Sequence, residues 1–228
     1  MEALLRWHNP QLGWVSPKEF IPIAEETNLI IPIGVWVLQQ ACQQNKQWQE
    51  IYLEPHRVSV NLSACQFKQK NIVEIIDKVI ANTGLNADYL ELEITESVLV
   101  EDIEQAIIIL NKLKSKGISI ALDDFGTGYS SLSYLNRLPL DTLKIDRSFI
   151  TNIVSNSDNA AISKAIIALA QSLELNVTAE GVETKAQLNY LQEQGCNEVQ
   201  GYYFSKPLPS EDLQDLLLNL DVRESEKK

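Results

Sequence analysis

Ile118-Ser119-Ile120-Ala121-Leu122-Asp123-Asp124-Phe125-Gly126-Thr127-Gly128 is the stretch whose reading decides the fold. Its first half, Ile118–Asp123, is apolar and β-branched, and predicts a buried strand. It finishes on two adjacent acids and a glycine-rich turn. Outward from it the same grammar repeats. Strand-like runs lie at Ala3–Trp7, Arg57–Leu62, Leu90–Thr95, Thr142–Ile145, Asn176–Ala179 and Glu198–Tyr203.

Helical patterns fill the spaces between these runs. Ser16-Pro17-Lys18-Glu19 is a capping-box sequence with proline at the first helical position, and opens a helix toward Thr27. Further helices are expected over Gly34–Glu50, Asn71–Thr83, Asp102–Lys116, Ser130–Leu138, Ser157–Leu173, Thr184–Gln194 and Ser210–Leu220. Gly84, Gly117 and Gly195 follow three of them as C-caps, and Pro139 stops another. Strand then helix, repeated, means a parallel sheet. Such a sheet either opens out as a doubly wound layer or curls into a barrel, and eight strand–helix units close a barrel.

The ends of the strands choose between the two. They carry Asn61, Glu93, Asp123 with Asp124, Lys144, Glu180 and Gln200. An open sheet would spread these groups along an edge, whereas a barrel gathers them at its C-terminal mouth, where barrel active sites lie. The expected fold is therefore an α/β, TIM-like barrel. Period two also places Glu91 and Glu93 on one face of an otherwise apolar strand, and glutamates are rarely buried without partners.

Composition bounds the function. With 228 residues, 45% of them hydrophobic and a formal net charge of −12, the chain has a globular profile. The acidic balance argues against a nucleic-acid polymer as partner, because such binders neutralise phosphates with basic patches. Cys42, Cys65 and Cys196 form no zinc spacing and are odd in number, so free thiols in a reducing, cytoplasmic setting are expected. The opening Met1-Glu2-Ala3-Leu4 has no basic n-region, so no signal peptide is expected. Leu29–Leu38 is too short to span a bilayer, and no membrane contact is expected from this chain.

Four or more acids brought together stay ionised only around a cation. Oxygen donors of this kind select Mg²⁺ or Mn²⁺ over zinc. Asp123 and Asp124 can serve one ion each, and two ions roughly 3.5–4 Å apart clamp a phosphodiester and activate water. Lys144 is placed to offset charge in the transition state. Blander readings stand beside these. An isolated Asp-Asp pair is commonly a helix cap or a solvated turn. Asp124-Phe125-Gly126 matches a kinase triplet, but no phosphate-binding glycine loop accompanies it. His8, His56 and the four tryptophans read as structural.

The chain resembles the EAL domains, which hydrolyse cyclic di-GMP to linear pGpG. The resemblance rests on Glu2-Ala3-Leu4-Leu5-Arg6-Trp7, Ser59-Val60-Asn61-Leu62-Ser63, Leu90–Ser97, Leu122–Ser131, Leu143-Lys144-Ile145-Asp146, Ala179-Glu180-Gly181-Val182-Glu183 and Gln200–Pro207, in that order. It runs from Glu2 to about Leu220, leaving 221–228 as a disordered tail. It implies that Glu2, Asn61, Glu93 and Asp123 hold a first Mg²⁺ or Mn²⁺, that Asp123 bridges to a second beside Asp124, and that Glu180 and Lys144 hold and activate water. It also implies that Arg6 meets a substrate phosphate, that Glu96 anchors the loop Asp124–Ser131, and that Asp146, Glu183 and Gln200 support the site. A homodimer and upstream sensor or cyclase-like domains are further implications. The family places an antiparallel strand and a helix ahead of the segment matching Glu2. The expectation is thus a barrel open beside the Glu2 strand, with Glu2 and Arg6 on a loosely held terminus. Two functions follow: a metal-dependent phosphodiesterase, or a module that binds cyclic di-GMP without cutting it.

Overall fold

The structure is a computed structural model that describes residues 1–51, 56–99, 102–128 and 132–225. In chain order its elements are β1 (Glu2–Ala3), β2 (Trp7–Asn9), β3 (Gly13–Val15), α1 (Pro17–Glu26), α2 (Ile30–Ile51), β4 (Val58–Asn61), α3 (Ala64–Phe67), α4 (Ile72–Thr83), β5 (Leu90–Thr95), α5 (Ile103–Lys114), β6 (Ser119–Phe125), α6 (Leu132–Leu135), β7 (Thr142–Ile145), α7 (Arg147–Ile150), α8 (Ser157–Ser172), β8 (Asn176–Glu180), α9 (Lys185–Glu193), β9 (Glu198–Gln200) and α10 (Ser210–Ser225). Seven strands form one sheet in the order β1-β4-β5-β6-β7-β8-β9, with every pairing parallel.

The sheet curls. Gln200 on its last strand donates from Nε2 to Oε2 of Glu2 on its first, at 2.7 Å. Among the described residues no backbone ladder joins β1 to β9, so the barrel is incomplete at that seam. Period two explains the layering. Leu90, Leu92 and Ile94 of β5 are fully buried between sheet and helices, while Glu91 and Glu93 alternate with them into the interior. Burial on both faces is what a parallel sheet demands. Asn45 of α2 ties two strand entrances to the helix layer, donating from Nδ2 to the carbonyls of His56 and Tyr89 at 3.0 and 3.2 Å.

Several expectations need correction. The run Ala3–Trp7 is not one strand. The chain leaves the sheet after Ala3, and β2 pairs antiparallel with β3 as a small separate hairpin. Its turn is built by Asn9, whose Oδ1 accepts from the backbone N–H groups of Gln11 and Leu12, and by Gly13 at φ 73°. Ser16 caps α1 by accepting from Lys18 N, without the reciprocal Glu19 bond of a capping box. Helix α2 starts at Ile30 rather than Gly34, because Pro32 falls in its first turn, where no N–H partner is needed. Helix α10 continues past Leu220 to Ser225, since nothing in 221–225 breaks a helix. Residues 226–228 of the expected tail, and Ser130 and Ser131 of the expected helix Ser130–Leu138, lie outside the described residues.

Candidate active site

The strand register brings the polar strand ends to one level. Asn61 lies opposite Glu93, Thr95 opposite Asp123, and Glu180 opposite Gln200. Lys144 enters this ring from β7. Its side chain is 3% exposed, and its Nζ lies 2.7 Å from Glu93, 2.7 Å from Glu180, 3.4 Å from Asp123 and 3.8 Å from Glu2. Four carboxylates thus crowd one ammonium. Glu2 is steadied from two sides, by Asn61 Nδ2 at 2.8 Å and by Gln200 Nε2 at 2.7 Å.

Asp124 completes the set through an unusual backbone. Simple alternation would send Asp123 and Asp124 to opposite faces of β6. The register with β7 shifts between Leu122 and Phe125, and Asp124 takes φ 54°. Aspartate tolerates this left-handed conformation, and such strain gathers at functional sites. The turn is held by Thr127, whose N–H and Oγ1 both donate to the Asp124 carbonyl, and by Asp124 N donating to Asp123 Oδ1. As a result Asp123, Asp124 and Glu180 each offer a carboxylate oxygen, all within 4.8 Å of one another.

Burial and mutual repulsion raise the acids. Glu93 is pushed up to about 8, by burial first and then by Glu2 and Asp123, against the pull of Lys144. Burial raises Glu180 to about 7, with Asp123 adding to it and Lys144 opposing. Asp124 rises to about 6 through burial and the neighbouring carboxyls of Asp123 and Asp146. Burial alone would lower Lys144, but Glu93, Glu2, Asp123 and Glu180 together push it well up, so its charge is secure.

Five carboxylates, those of Glu2, Glu93, Asp123, Asp124 and Glu180, face one ammonium. The buried Oε2 of Glu93 and Nζ of Lys144 are close enough to attract, but neither has a well-directed hydrogen bond. Asn61 spends its amide N–H on Glu2, which leaves its carbonyl oxygen as a neutral donor. An oxygen-only set with surplus negative charge fits hard divalent cations.

The remaining candidates sit around this ring. Glu96 is buried and its Oε1 accepts from Gly126 N at 3.0 Å. Gly128 comes so close that a β-carbon there would lie 2.3 Å from Glu96 Oε2, and a larger residue would have to displace that carboxylate. Residues 129–131 of the expected loop are outside the described part. Asp146 stands against Asp124 and caps α7, accepting from Ser148 N at 3.0 Å. Glu183 is at the rim, 3.9 Å from Arg147 and not in the ring. Arg6 is exposed, and its Nη1 donates to the neighbouring Leu5 carbonyl.

Sequence reasoning missed a second polar layer beneath the first. Glu91 accepts from Ser59 Oγ at 2.7 Å and Thr142 Oγ1 at 3.2 Å, with Arg57 3.6 Å away. A cavity of about 90 Å³ is lined by Ser59 and Glu91 of this layer, by Glu93 and Lys144 of the other, and by Met1 and Gln200 at the seam.

The EAL domain family profile matches residues 1–207. The chain belongs to the EAL family. MucR of Pseudomonas aeruginosa, a bifunctional diguanylate cyclase/cyclic di-GMP phosphodiesterase, is 46% identical over 213 residues, which is 93% of this EAL chain and 31% of MucR. NbdA of the same organism, a cyclic di-GMP phosphodiesterase, is 46% identical over 217 residues, covering 95% of the chain and 28% of NbdA. The chain therefore spans about a third of these relatives. The solved phosphodiesterase of PaMucR in complex with c-di-GMP matches with a TM-score of 0.90, covering 93% of this EAL chain and 86% of that one at 46% identity. The FimX EAL domain of Pseudomonas aeruginosa bound to c-di-GMP matches at 0.81 and 25% identity, covering 90% and 82%. These likenesses identify the curled sheet as the TIM-like barrel of EAL domains. Among the described residues no helix is long and apolar enough to cross a membrane.

Proposed function

We propose that this EAL domain hydrolyses cyclic di-GMP to linear pGpG with the help of two Mg²⁺ or Mn²⁺ ions. The observation that carries the reading is Lys144, held 2.7 Å from both Glu93 and Glu180 inside a ring of surplus carboxylates. Glu2, Asn61, Glu93 and Asp123 would hold one ion, and Asp123 with Asp124 the other. Bound there, such ions draw charge from a phosphodiester and acidify water. Glu180, held 2.7 Å from Lys144, is placed to take a proton from the attacking water. Lys144 keeps its charge and orients that water or offsets charge at phosphorus. Arg6 has guanidinium N–H groups to spare for the phosphate not being cut. Asp146 and Gln200 hold their neighbours in place, Glu96 the glycine loop, and Glu183 the rim.

A homodimer, sensor or cyclase-like domains upstream in a longer protein, and a cytoplasmic setting belong to the same reading. The length of the relatives supports the upstream domains, since this chain matches about a third of each. The second reading is a module that binds cyclic di-GMP without cutting it. It is favoured by Glu2, whose two carboxylate oxygens are already engaged by the Asn61 and Gln200 amides. Incubation with cyclic di-GMP separates the two. Linear pGpG forming with Mg²⁺ or Mn²⁺, and disappearing with a chelator, is expected. Binding with no pGpG under either metal would leave the second reading standing.

A further inference from the structure

We propose that Tyr203 and Phe204 form a stacking face for one guanine of cyclic di-GMP, and so govern affinity and base preference. The inference rests on the proposed ligand. Beyond Gln200 the chain runs along the segment that follows Glu180. Val182 N donates to the Gln200 carbonyl at 3.0 Å, and Tyr203 N to the Val182 carbonyl at 2.9 Å. Gly201 makes this possible, because a β-carbon there would lie 2.2 Å from the Val182 carbonyl oxygen. Residues 202–204 therefore lie on the rim of the mouth, a few residues beyond the amide that touches Glu2.

Three consecutive aromatics on that rim are exposed, Tyr202 by 53%, Tyr203 by 39% and Phe204 by 57%. Scattered exposed apolar residues need no explanation, but a contiguous aromatic patch marks a contact surface. Tyr202 is engaged by Lys206, whose Nζ lies 5.9 Å from its ring centre. Tyr203 and Phe204 brace each other edge to face at 5.2 Å, which fixes the pair while leaving much of each ring open. The ring of acids, amides and Lys144 below can recognise phosphates through cations but offers no flat apolar surface. A cyclic dinucleotide brings two purines as well as two phosphates, and bases of any kind stack on aromatic side chains.

The test is binding of the bis-phosphorothioate analogue of cyclic di-GMP, chosen to resist hydrolysis, measured calorimetrically with Mg²⁺ present. Losing one base–aromatic contact weakens binding roughly five- to a hundredfold. Phe204→Ala and Tyr203→Ala are expected to weaken it about tenfold each, while Phe204→Trp restores it to within about threefold. Mn²⁺ binding by the same variants should be unchanged, which shows that the metal end is intact and the chain folded. Wild-type affinity in both alanine variants would overturn the stacking role. No binding by the unsubstituted chain would instead overturn cyclic di-GMP as the ligand, and this proposal with it.

Discussion

Glu91 and Glu93 stand two residues apart on one strand and face the same interior, yet their surroundings differ in kind. Glu91 meets two hydroxyl donors and an arginine, so its charge is answered where it stands. Glu93 meets one ammonium that it shares with Glu2, Asp123 and Glu180, and burial raises it to about 8. Burial alone does not mark a functional acid. A balanced buried acid holds the fold together, and a surplus of them waits for a cation.

The sharpest way to break this contrast is substitution of the two glutamates. Glu93→Ala should reduce turnover of cyclic di-GMP by at least about a thousandfold, since a ligand of the proposed ion is lost. Removing one acid from a crowded set should leave the melting temperature of the metal-free protein unchanged or raised. Near-normal rates in that variant would break the metal assignment. Lys144→Met asks the opposite question. It strands the ring without its cation, and breaking a buried ion pair costs about 3–5 kcal/mol. The metal-free variant should melt well below the parent protein, and Mg²⁺ should recover more of that loss than it adds to the parent.

The acidity of the ring gives a smaller, signed effect. Glu93 and Glu180 have folded values near 8 and 7, above the ordinary carboxyl range. An acid raised on folding costs the folded state progressively more as pH climbs from its ordinary value, about 4.5, to its folded value, and no more above that. Metal-free protein should therefore lose melting temperature between about pH 4.5 and 8, by on the order of several degrees, and level off above that. The Lys144 charge is constant through this window and does not alter the slope. With saturating Mg²⁺ the decline should vanish, because the ion binds the ionised acids. An equally steep decline with metal present would contradict the placement of the cation. The mildest effect belongs to the balanced layer. Glu91→Gln keeps one acceptor oxygen and sets its amide N–H against the other hydroxyl, which can turn to accept it, and should cost about 1 kcal/mol, with turnover within a few-fold of the parent.

Much of the mouth was legible because parallel strands must be apolar on both faces. Asn61, Glu93, Lys144 and Glu180 stand out against such runs, and the structure brings them together. The hairpin of β2 and β3 was not legible. Its strands have three residues each, too few for period two to register, and the Asn9 side-chain bonds that shape its turn are visible only in the structure. The position of Asp124 was not legible either, since alternation assigns it the wrong face and only the register shift and the left-handed backbone correct this. Nor does sequence separate Glu91 from Glu93. Both obey the same period, and the partners that distinguish them, Ser59, Thr142 and Lys144, come from other strands.

The central claim is that the surplus around Glu93, and not the balanced layer of Glu91, powers hydrolysis. It is tested by measuring linear pGpG released from cyclic di-GMP at saturating Mn²⁺ by the unsubstituted chain, Glu91→Gln and Glu93→Gln side by side. Product from the first two and none from the third is the predicted result; equal product from Glu93→Gln, or none from any of the three, would contradict it.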